Sequence, residues 1–305
     1  MRVLNLGSLN IDKVYYVGEF VRAGETARAS GMKEFAGGKG LNQSVALTRA
    51  GAEVFHAGAI GRDGGLLLDA LRESGADASL LLETRQPSGH AVIQMTPDGQ
   101  NAIIVDGGAN MTISEKYVDQ VLENFGPGDM IVLQNEVSCV AYAMRAAKSR
   151  GLKVAFNPSP VPSRFDEYPL HLVDYMIVNE IEGRALSGVD GGDWSAVLAA
   201  LGERFPDAVV VLTLGSLGSM CLGGGQTYRH GIFYTPVVDT TGAGDTFCGY
   251  FLSGAAAGLG LERCLRLASI AAALAVGKAG AAASVPYMSE VTAFEKSLIL
   301  FQNEG

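Results

Sequence analysis

The sequence has little that would suit a nucleic-acid or membrane partner. Its formal charge is −9, and it contains no run of basic residues. Proteins that bind nucleic acid or anionic lipid usually present clustered Lys and Arg, so both are poor candidate partners. No apolar stretch reaches the roughly 18 residues that a membrane-spanning helix requires. The most apolar run, residues 267–277, lies between Arg266 and Lys278 and is typical of a buried helix.

Cysteine is also scarce. The four cysteines, Cys139, Cys221, Cys248 and Cys264, show no close-paired spacing, so neither a zinc site nor a disulfide framework is expected. Met1 leads directly into the apolar segment RVLNLGSL, which reads as a first core strand and not as a signal peptide. We therefore expect a cytoplasmic protein with reduced thiols.

There is enough apolar sequence for a large core. The 305 residues are 48% hydrophobic and 18% charged, which is typical of one large globular domain or two of ordinary size. From about residue 130 onward, short continuous apolar segments such as DMIVLQ and LKVAFN alternate with helical segments. This order predicts an α/β fold in which helices cover both faces of a mainly parallel sheet.

Two β-rich segments do not fit the alternating pattern. Residues 13–36 are irregular and carry aromatic and β-branched side chains, whereas residues 90–105 form two short apolar runs around a Pro-Asp-Gly turn. The second pattern predicts a hairpin. Together the segments predict a small second sheet that projects from a main domain formed by residues 1–12, 37–89 and 106–305.

Polar residues follow the predicted strands repeatedly. In open parallel sheets, ligands bind at the carboxyl ends of the strands. The sequence therefore predicts one extended crevice, lined by residues from six places in the chain: Asn10 with Asp12, 134–136, 157–159, Asn179, 213–218 and Asp239.

The segment VVDTTGAGDTFCGYF, residues 237–251, places a glycine-rich turn and an acid at the start of an apolar helix. Free N–H groups and the helix dipole favour an anion at such a terminus. A carboxylate beside a bound phosphoryl group can accept a hydroxyl proton during phosphoryl transfer. Asp245 is thus a candidate base, although this segment alone favours the simpler interpretation of an Asp that caps the helix.

A second glycine-rich helix start occurs in FAGGKGLNQS, residues 35–44. It is not a Walker A motif, because Lys33 stands where a glycine is required. It could be an ordinary glycine-rich turn. It could also form a backbone platform for a polyhydroxylated ligand, with Lys39 and Asn42 as hydrogen-bonding groups and Asp12 accepting from two adjacent hydroxyls.

Eight segments together resemble the ribokinase family of sugar kinases (PfkB-type carbohydrate kinases) in order and spacing, over nearly the whole chain. They are GSLNID, GGKGLNQS, GANMT, NPSP, VNEIEG, TLGSLG, VDTTGAGDTF and GAAASVP. The resemblance implies a ribokinase-like three-layer α/β/α sandwich with a small β-sheet lid. It also implies ATP and a sugar as substrates, Mg²⁺ and a monovalent cation (usually K⁺) as cofactors, and a homodimer formed through the lid.

The resemblance further implies roles for individual residues. Asp245 would be the base, and the turn at Gly242, with the N–H groups of Ala243 and Gly244, would form the anion hole. The sugar would be bound by Asp245 together with Asn10, Asp12, Gly38, Lys39, Asn42 and Glu136. The nucleotide would be bound by Gly244 together with Asn179, Thr213, Gly215, Ser216, Gly218 and Ser269. Glu182, with Asn179, would organise magnesium through water. The monovalent cation would be held by Asp239, the carbonyls of Thr241, Ala275, Lys278 and Gly280, and the Ser284 hydroxyl.

Three alternatives differ from ribose phosphorylation. The loop at 61–65 looks shortened relative to the family, and Leu41 replaces a common alanine, so the substrate could instead be deoxyribose, a fructose-type sugar or a nucleoside. A non-catalytic sensor on the same fold is a second alternative, but it would be expected to lose Asp245 or the 242–244 turn. A nicotinamide-dependent dehydrogenase is disfavoured, because no Gly-x-Gly-x-x-Gly follows the first strand.

Overall fold

The first strand lies inside an eight-stranded sheet. The computed structural model describes residues 1–303, and in it the first strand pairs in parallel with a neighbour on each side. The strand order is β14-β13-β12-β11-β10-β9-β1-β4. These strands are β1 (Arg2–Leu6), β4 (Glu53–Ala57), β9 (Met130–Gln134), β10 (Lys153–Asn157), β11 (Tyr175–Val178), β12 (Val209–Thr213), β13 (Ser219–Gly223) and β14 (Gln226–His230).

The sheet is parallel from β4 to β12, and only β13 and β14 are antiparallel additions at one edge. The buried strands are continuous apolar runs because helices cover both of their faces. The described helices are α1 (Lys39–Arg49), α2 (Gly65–Ser74), α3 (Glu115–Leu122), α4 (Val140–Ser149), α5 (Glu180–Ser187), α6 (Trp194–Arg204), α7 (Ala243–Ala256), α8 (Leu261–Val276) and α9 (Met288–Asn303).

Two separate hydrophobic clusters form the core. One packs α3, α4, α5 and α6 against the first face of the sheet, and its members include Val118, Met144 and Leu201. The other packs α1, α2, α7, α8 and α9 against the opposite face, and its members include Leu41 and Phe251. A sheet between two helical layers confirms the predicted α/β/α fold.

The two β-rich segments meet in a second, four-stranded sheet of order β3-β2-β7-β8. Its strands are β2 (Asn10–Tyr16), β3 (Gly31–Gly37), β7 (Gly89–Met95) and β8 (Asn101–Asp106). The predicted hairpin is the antiparallel pair β7–β8. These strands begin and end slightly outside residues 13–36 and 90–105, and the division into a main domain and a lid stays a prediction. A short parallel pair, β5 (Ala59–Ile60) and β6 (Leu82–Glu83), completes the strands.

Several local expectations can be compared with the described residues. All four cysteines are free thiols. Residues 267–276 of the apolar run lie in α8, as expected for a buried helix, and Gly277 caps its C-terminus. Within the described part of the chain, no helix combines the length and apolar character needed to cross a membrane. Asp239 does not follow a strand directly, because residues 232–238 after β14 are irregular.

Candidate functional site

Asp245 lies in the first turn of α7, where the sequence placed it. Gly242 precedes the helix with φ = 75°, a left-handed conformation that favours glycine. A Cβ atom there would also lie 2.9 Å from the Ala281 Cα. The turn places the N–H groups of Ala243 and Gly244 at the helix terminus, where an anion is favoured. Among the described residues the Ala243 N–H donates to the Thr240 carbonyl over 3.2 Å, whereas the Gly244 N–H makes no such bond.

The Asp245 carboxylate does not cap its own helix. It is 8% exposed, and in the described structure its hydrogen bonds come from two side chains of α1. Asn42 Nδ2 donates to Oδ2 over 3.0 Å, and Gln43 Nε2 donates to Oδ1 over 3.0 Å. The structure thus disfavours the simple capping interpretation, because the carboxylate turns toward the other glycine-rich helix start.

The N-terminus of α1 rests on the turn after β1. Gly38 has φ = 92°, and a Cβ atom there would lie 3.0 Å from the Ser8 carbonyl oxygen and from the Asn10 nitrogen. Asn42 Oδ1 is buried and has no hydrogen-bond partner among the described residues. A buried amide oxygen without a donor can accept a ligand hydroxyl.

Lys39, the first residue of α1, lies among acids from several elements. Its pKa is raised, chiefly by the negative charge of Asp245; burial opposes this effect, while Glu136 and Glu182 reinforce it. The ammonium group is therefore charged at neutral pH. Lys39 partly offsets the negative charge of these three carboxylates, and its ammonium group can donate hydrogen bonds to a ligand.

Glu136 follows β9 and is held by the α1 terminus. Its Oε2 accepts from Ser8 Oγ over 2.5 Å and from the Lys39 backbone nitrogen over 3.1 Å. Asp12, on β2, lies close enough for Glu136 to affect it. Burial raises the pKa of Asp12 to about 6, and the charge of Glu136 acts in the same direction. These two acids crowd the side of the site that faces the small sheet.

Asn10 is buried at the start of β2 and is oriented by a residue that we did not predict. Asn110 Nδ2 donates to Asn10 Oδ1 over 2.8 Å, and Asn110 Oδ1 accepts from the Leu9 nitrogen over 3.0 Å. Asn110 belongs to the GANMT segment, so its sequence signal was available. Its role could be recognised only from its contact with Asn10, which lies 100 positions away in the sequence.

The predicted nucleotide residues lie at the ends of two adjacent strands. Asn179 caps α5 after β11, and Glu182 completes a capping box with it. Both Glu182 oxygens accept from Asn179, over 2.9 and 3.0 Å. Thr213 ends the neighbouring β12, and a 3₁₀ turn at Gly215–Leu217, which includes Ser216, precedes Gly218. Ser269 is buried on α8, apart from this turn in sequence.

Glu182 is suited to binding a magnesium ion through a water molecule, as we predicted, and not to a direct contact. Each of its oxygens already accepts one hydrogen bond, which leaves one lone pair on each. No cluster of three His, Cys, Asp or Glu side chains that could hold a metal ion lies within residues 1–303. Mg²⁺ characteristically keeps several waters and takes one or two carboxylates together with phosphates, so a lone carboxylate is compatible with it.

Asp239 joins the two loops that were predicted to hold a monovalent cation. Its Oδ1 accepts from the nitrogen and hydroxyl of Thr241 over 2.9 and 2.6 Å, and its Oδ2 accepts from the Gly280 nitrogen over 3.0 Å. Burial tends to raise the pKa of Asp239, but these hydrogen bonds outweigh it and the pKa lies below its usual value. The carboxylate is therefore ionised at neutral pH.

The remaining cation candidates differ in how free they are. The carbonyl of Ala275 accepts the Lys278 N–H over 3.0 Å, and the Ser284 hydroxyl donates to the Ala281 carbonyl over 2.9 Å. In the part of the chain that the structure describes, the carbonyls of Thr241, Lys278 and Gly280 accept no such bond. These three are the better fit to an ion that needs oxygen ligands.

A cavity of about 370 Å³ lies between the start of α6 and the end of β14. Its walls include Trp194, Ser219 and Arg229 together with Leu214 and Leu217, so it borders the 213–218 turn of the predicted crevice, although it contains none of the residues that were given individual roles. We place the candidate site at Asp245 instead, because the predicted side chains converge there.

We predict that Asp12→Asn stabilises the folded protein above pH 6. In the unfolded chain the Asp12 carboxyl has a pKa of about 4, whereas in the fold its pKa is about 6. The carboxyl therefore favours folding below pH 4, and this contribution is lost as the pH rises through 6. Urea unfolding at pH 7.5 should show a gain of about 1–3 kcal/mol, which should nearly vanish at pH 4.

Asp190→Asn is the matched control, because Asp190 is exposed. We expect it to leave the free energy of unfolding unchanged at both pH values. Equal stability of the wild type and Asp12→Asn at pH 7.5 would show that the buried charge carries no cost.

The chain is similar to known carbohydrate kinases over most of its length. The pfkB family of carbohydrate kinases matches residues 2–288. The ribokinase of Haemophilus influenzae is 36% identical over 298 residues, covering 95% of this chain and 96% of its own.

Two solved ribokinases have the same fold. The Arabidopsis thaliana enzyme, complexed with ribose and ATP, superposes with a TM-score of 0.83 at 30% identity and covers 95% of this chain and 97% of its own. The Cryptococcus neoformans enzyme, in complex with ADP, has a TM-score of 0.81 at 34% identity and covers 95% and 98%. These matches confirm the ribokinase-like fold. Because they span nearly the full length of both partners, the chain belongs to the pfkB family of carbohydrate kinases.

Proposed function

We propose that the chain transfers the γ-phosphoryl group of ATP to D-ribose, giving D-ribose 5-phosphate and ADP. Membership of the carbohydrate kinase family and similarity to ribokinases over 95% of the chain support ATP and ribose as substrates. The observation that carries the proposal is the Asp245 carboxylate, buried at a helix N-terminus and bound to Asn42 instead of capping its helix.

In this mechanism Asp245 accepts the proton of the ribose hydroxyl. As the O–H bond breaks, the oxygen forms a bond to the γ-phosphorus, and the bond between that phosphorus and the β,γ-bridging oxygen breaks to release ADP. The N–H groups of Ala243 and Gly244, opened by the turn at Gly242, stabilise the charge on the transferring phosphoryl oxygens. Positioning and electrostatic stabilisation supply most of the catalysis in such reactions.

Sugar binding is assigned to the side chains around the α1 terminus. Asn42 Oδ1 has no partner among the described residues and lies on the residue that contacts Asp245, so it can accept a hydrogen bond from a hydroxyl next to the base. Asp12 and Glu136 accept hydrogen bonds from further sugar hydroxyls, and the positive charge of Lys39 partly offsets the negative charge of the acids. The complete set consists of Asn10, Asp12, Gly38, Lys39, Asn42, Glu136 and Asp245.

Nucleotide binding is assigned to the ends of β11 and β12, which are neighbours in the sheet. The proposed contacts are Asn179, Thr213, Gly215, Ser216, Gly218, Gly244 and Ser269. Of these, Ser269 has the weakest support, since its side chain is buried in α8. Glu182 would hold magnesium through water, and the ion, when bound, neutralises phosphate charge. A cytoplasmic location is part of the proposal because ATP is the phosphoryl donor.

A monovalent cation is proposed next to the anion hole. Asp239 is ionised and ties the 239–241 turn to Gly280, and the carbonyls of Thr241, Lys278 and Gly280 are free in the described structure. Ala275 and Ser284 complete the proposed set. An ion there would stabilise the turn that presents Ala243 and Gly244.

A second copy of the chain is proposed to pack on the small sheet, whose strands β2 and β7 flank the sugar residues. Edge strand β8 exposes three consecutive apolar side chains, Ile103, Ile104 and Val105, with Ile104 70% exposed. Unpaired edges with apolar side chains favour pairing with another chain. A homodimer through this lid would cover them.

We predict that wild-type protein releases ADP faster with D-ribose than with deoxyribose, fructose or nucleosides. Asp245→Asn should bind ribose and ATP with near wild-type affinity but turn over about 10² to 10⁴ times more slowly, because it cannot accept the proton. Coupled ADP release and calorimetric binding measure the two quantities.

Asp193→Asn is the control for Asp245→Asn. Asp193 also lies at a helix start, where it caps α6, and asparagine caps equally well. Wild-type turnover in Asp245→Asn would refute the base assignment. A faster acceptor than ribose would leave the kinase assignment intact and replace the substrate.

We also predict faster turnover in potassium chloride than in tetramethylammonium chloride at equal ionic strength. The bulky cation cannot enter a site made of carbonyls and one carboxylate. In Asp239→Asn the ratio of the two rates should fall toward one, because the only charged ligand is lost. Equal rates for the wild type in both salts would remove the cation site from the proposal.

For the dimer, we expect Ile104→Lys to lower the molar mass measured by light scattering from that of two chains to that of one. A charge at the edge of β8 opposes strand pairing. Leu66→Lys, at an exposed position of α2, should leave the mass unchanged. A wild-type protein that stays monomeric at high micromolar concentration would contradict the dimer.

A further inference from the structure

A row of buried amides runs from the centre of the sheet to Asp245. It consists of Asn5 on β1, Gln134 on β9 and Gln43 on α1, and all three are at most 1% exposed. Gln134 Nε2 donates to Asn5 Oδ1 over 3.0 Å and to Gln43 Oε1 over 2.7 Å. Gln43 Nε2 then donates to Asp245 Oδ1 over 3.0 Å. These contacts join three elements to the candidate base.

The direction of every amide in the row follows from its two ends. Asn5 Nδ2 donates to the carbonyl of Gly40 over 2.7 Å, and a carbonyl can only accept. The Asn5 oxygen must therefore face Gln134, and the Gln43 oxygen must accept from Gln134. This leaves the Gln43 N–H groups facing Asp245.

The other side of Gln43 is constrained in the same way. Its Nε2 also donates to Asn157 Oδ1 over 3.2 Å, and Asn157 Nδ2 donates to the Ile177 carbonyl over 2.9 Å. Both N–H groups of Gln43 are thus used, one on Asn157 and one on Asp245. Rotating any of these amides by 180° would place two donors or two acceptors against each other.

The row also determines which Asp245 oxygen faces the proposed sugar position. Oδ1 is held by Gln43 at the inner side, whereas Oδ2 accepts from Asn42, whose own oxygen has no partner among the described residues. The oxygen beside Asn42 is therefore the one next to the proposed sugar position. A carboxylate held in one rotamer loses no orientation at the moment of reaction.

Placing three amides in the core has no evident advantage for stability. Buried polar groups cost free energy unless every donor and acceptor is satisfied, and within residues 1–303 Gln134 Oε1 has no hydrogen-bond partner. Apolar side chains of similar volume would fill the same space. The row is better explained by what it does to the carboxylate at its end.

We propose that Gln43 is a positioning residue for phosphoryl transfer, which orients the Asp245 carboxylate through the fixed amide row Asn5–Gln134–Gln43. This inference rests on the proposed function. Gln43 acts through Asp245, so its loss should lower kcat and leave the KM of ATP nearly unchanged.

Gln43→Glu tests the proposal through the pH profile. One glutamate oxygen can still accept from Gln134, but the other then faces Asp245 Oδ1 at about 3 Å, and two carboxylates so close cannot both ionise. The pair should retain a proton to higher pH, so the acid limb of the kcat profile should move up by about one pH unit or more. Gln120→Glu, on an exposed position of α3, carries the same charge change and should leave the limb in place.

Gln43→Met provides a neutral second variant, and it carries the test if Gln43→Glu does not fold. It removes both N–H donors without adding charge, so kcat should fall about tenfold while the KM of ATP stays within about twofold. Thermal unfolding confirms that each variant is folded at the assay temperature. A purely structural role would lower the melting temperature and leave both kcat and the acid limb of the folded protein unchanged.

The outcomes separate the two proposals. A wild-type protein that releases ADP with no acceptor of the panel overturns the proposed function itself. A wild type that is active, with folded Gln43→Met at wild-type kcat or folded Gln43→Glu with an unmoved acid limb, overturns only the role of Gln43.

Discussion

The site depends on the meeting of two helix N-termini at the Asp245 carboxylate. Helices α1 and α7 approach so closely that a Cβ atom on Gly249 would lie 2.4 Å from the Ala46 Cβ. This contact brings Asn42 and Gln43 to within 3.0 Å of Asp245. The glycine-rich turn before each helix then opens toward the same place, with the N-terminus of α7 on one side and, on the other, the Asn42 oxygen that has no partner among the described residues. This arrangement suits phosphoryl transfer, in which two ligands must be held close together.

The site contains more acidic than basic side chains, and this excess of negative charge does not stabilise the fold. Lys39 is the cation at the centre of Asp245, Glu136 and Glu182, and Asp12 is buried strongly enough to raise its pKa to about 6. Carboxylates that repel each other destabilise the empty protein, whereas hydroxyl donors from a bound sugar relieve them. Functional sites commonly carry such a cost in stability.

The small sheet and the amide row add side chains to the site that the two helix termini do not provide. Strand β2, paired with β7, carries Asn10 and Asp12, whereas Lys39 and Asn42 belong to α1, so the proposed sugar-binding residues come from the small sheet and from α1. The row from Asn5 to Gln43 connects the centre of the main sheet to the base. Helix α1 carries both the proposed sugar-binding residues Lys39 and Asn42 and the proposed positioning residue Gln43. Different side chains serve the two proposed roles, so each role can be disrupted separately.

The sequence by itself determined the fold class and the two glycine-rich helix starts. Continuous apolar strands and helix-forming segments are local patterns, and GGKG and DTTGAGD are readable because backbone N–H groups at a helix start need glycine nearby. The order of the motifs was enough to identify the family. The small sheet was also foreseen, although β2 and β7 start earlier than the proposed lid segments.

Only the tertiary structure decided which side chains act together. Gln43 and Asp245 are 202 residues apart, and no local sequence pattern can predict a contact over that separation. Whether Asp245 caps its helix or faces a ligand could not be read from the segment, since aspartate suits both. The sequence placed Asn110 in the GANMT motif and Gln134 in the predicted crevice, but only the fold showed that they contact Asn10 and Gln43. The physical reason is that propensity and periodicity depend on neighbours along the chain, whereas the direction of a buried hydrogen bond depends on partners that packing brings from elsewhere.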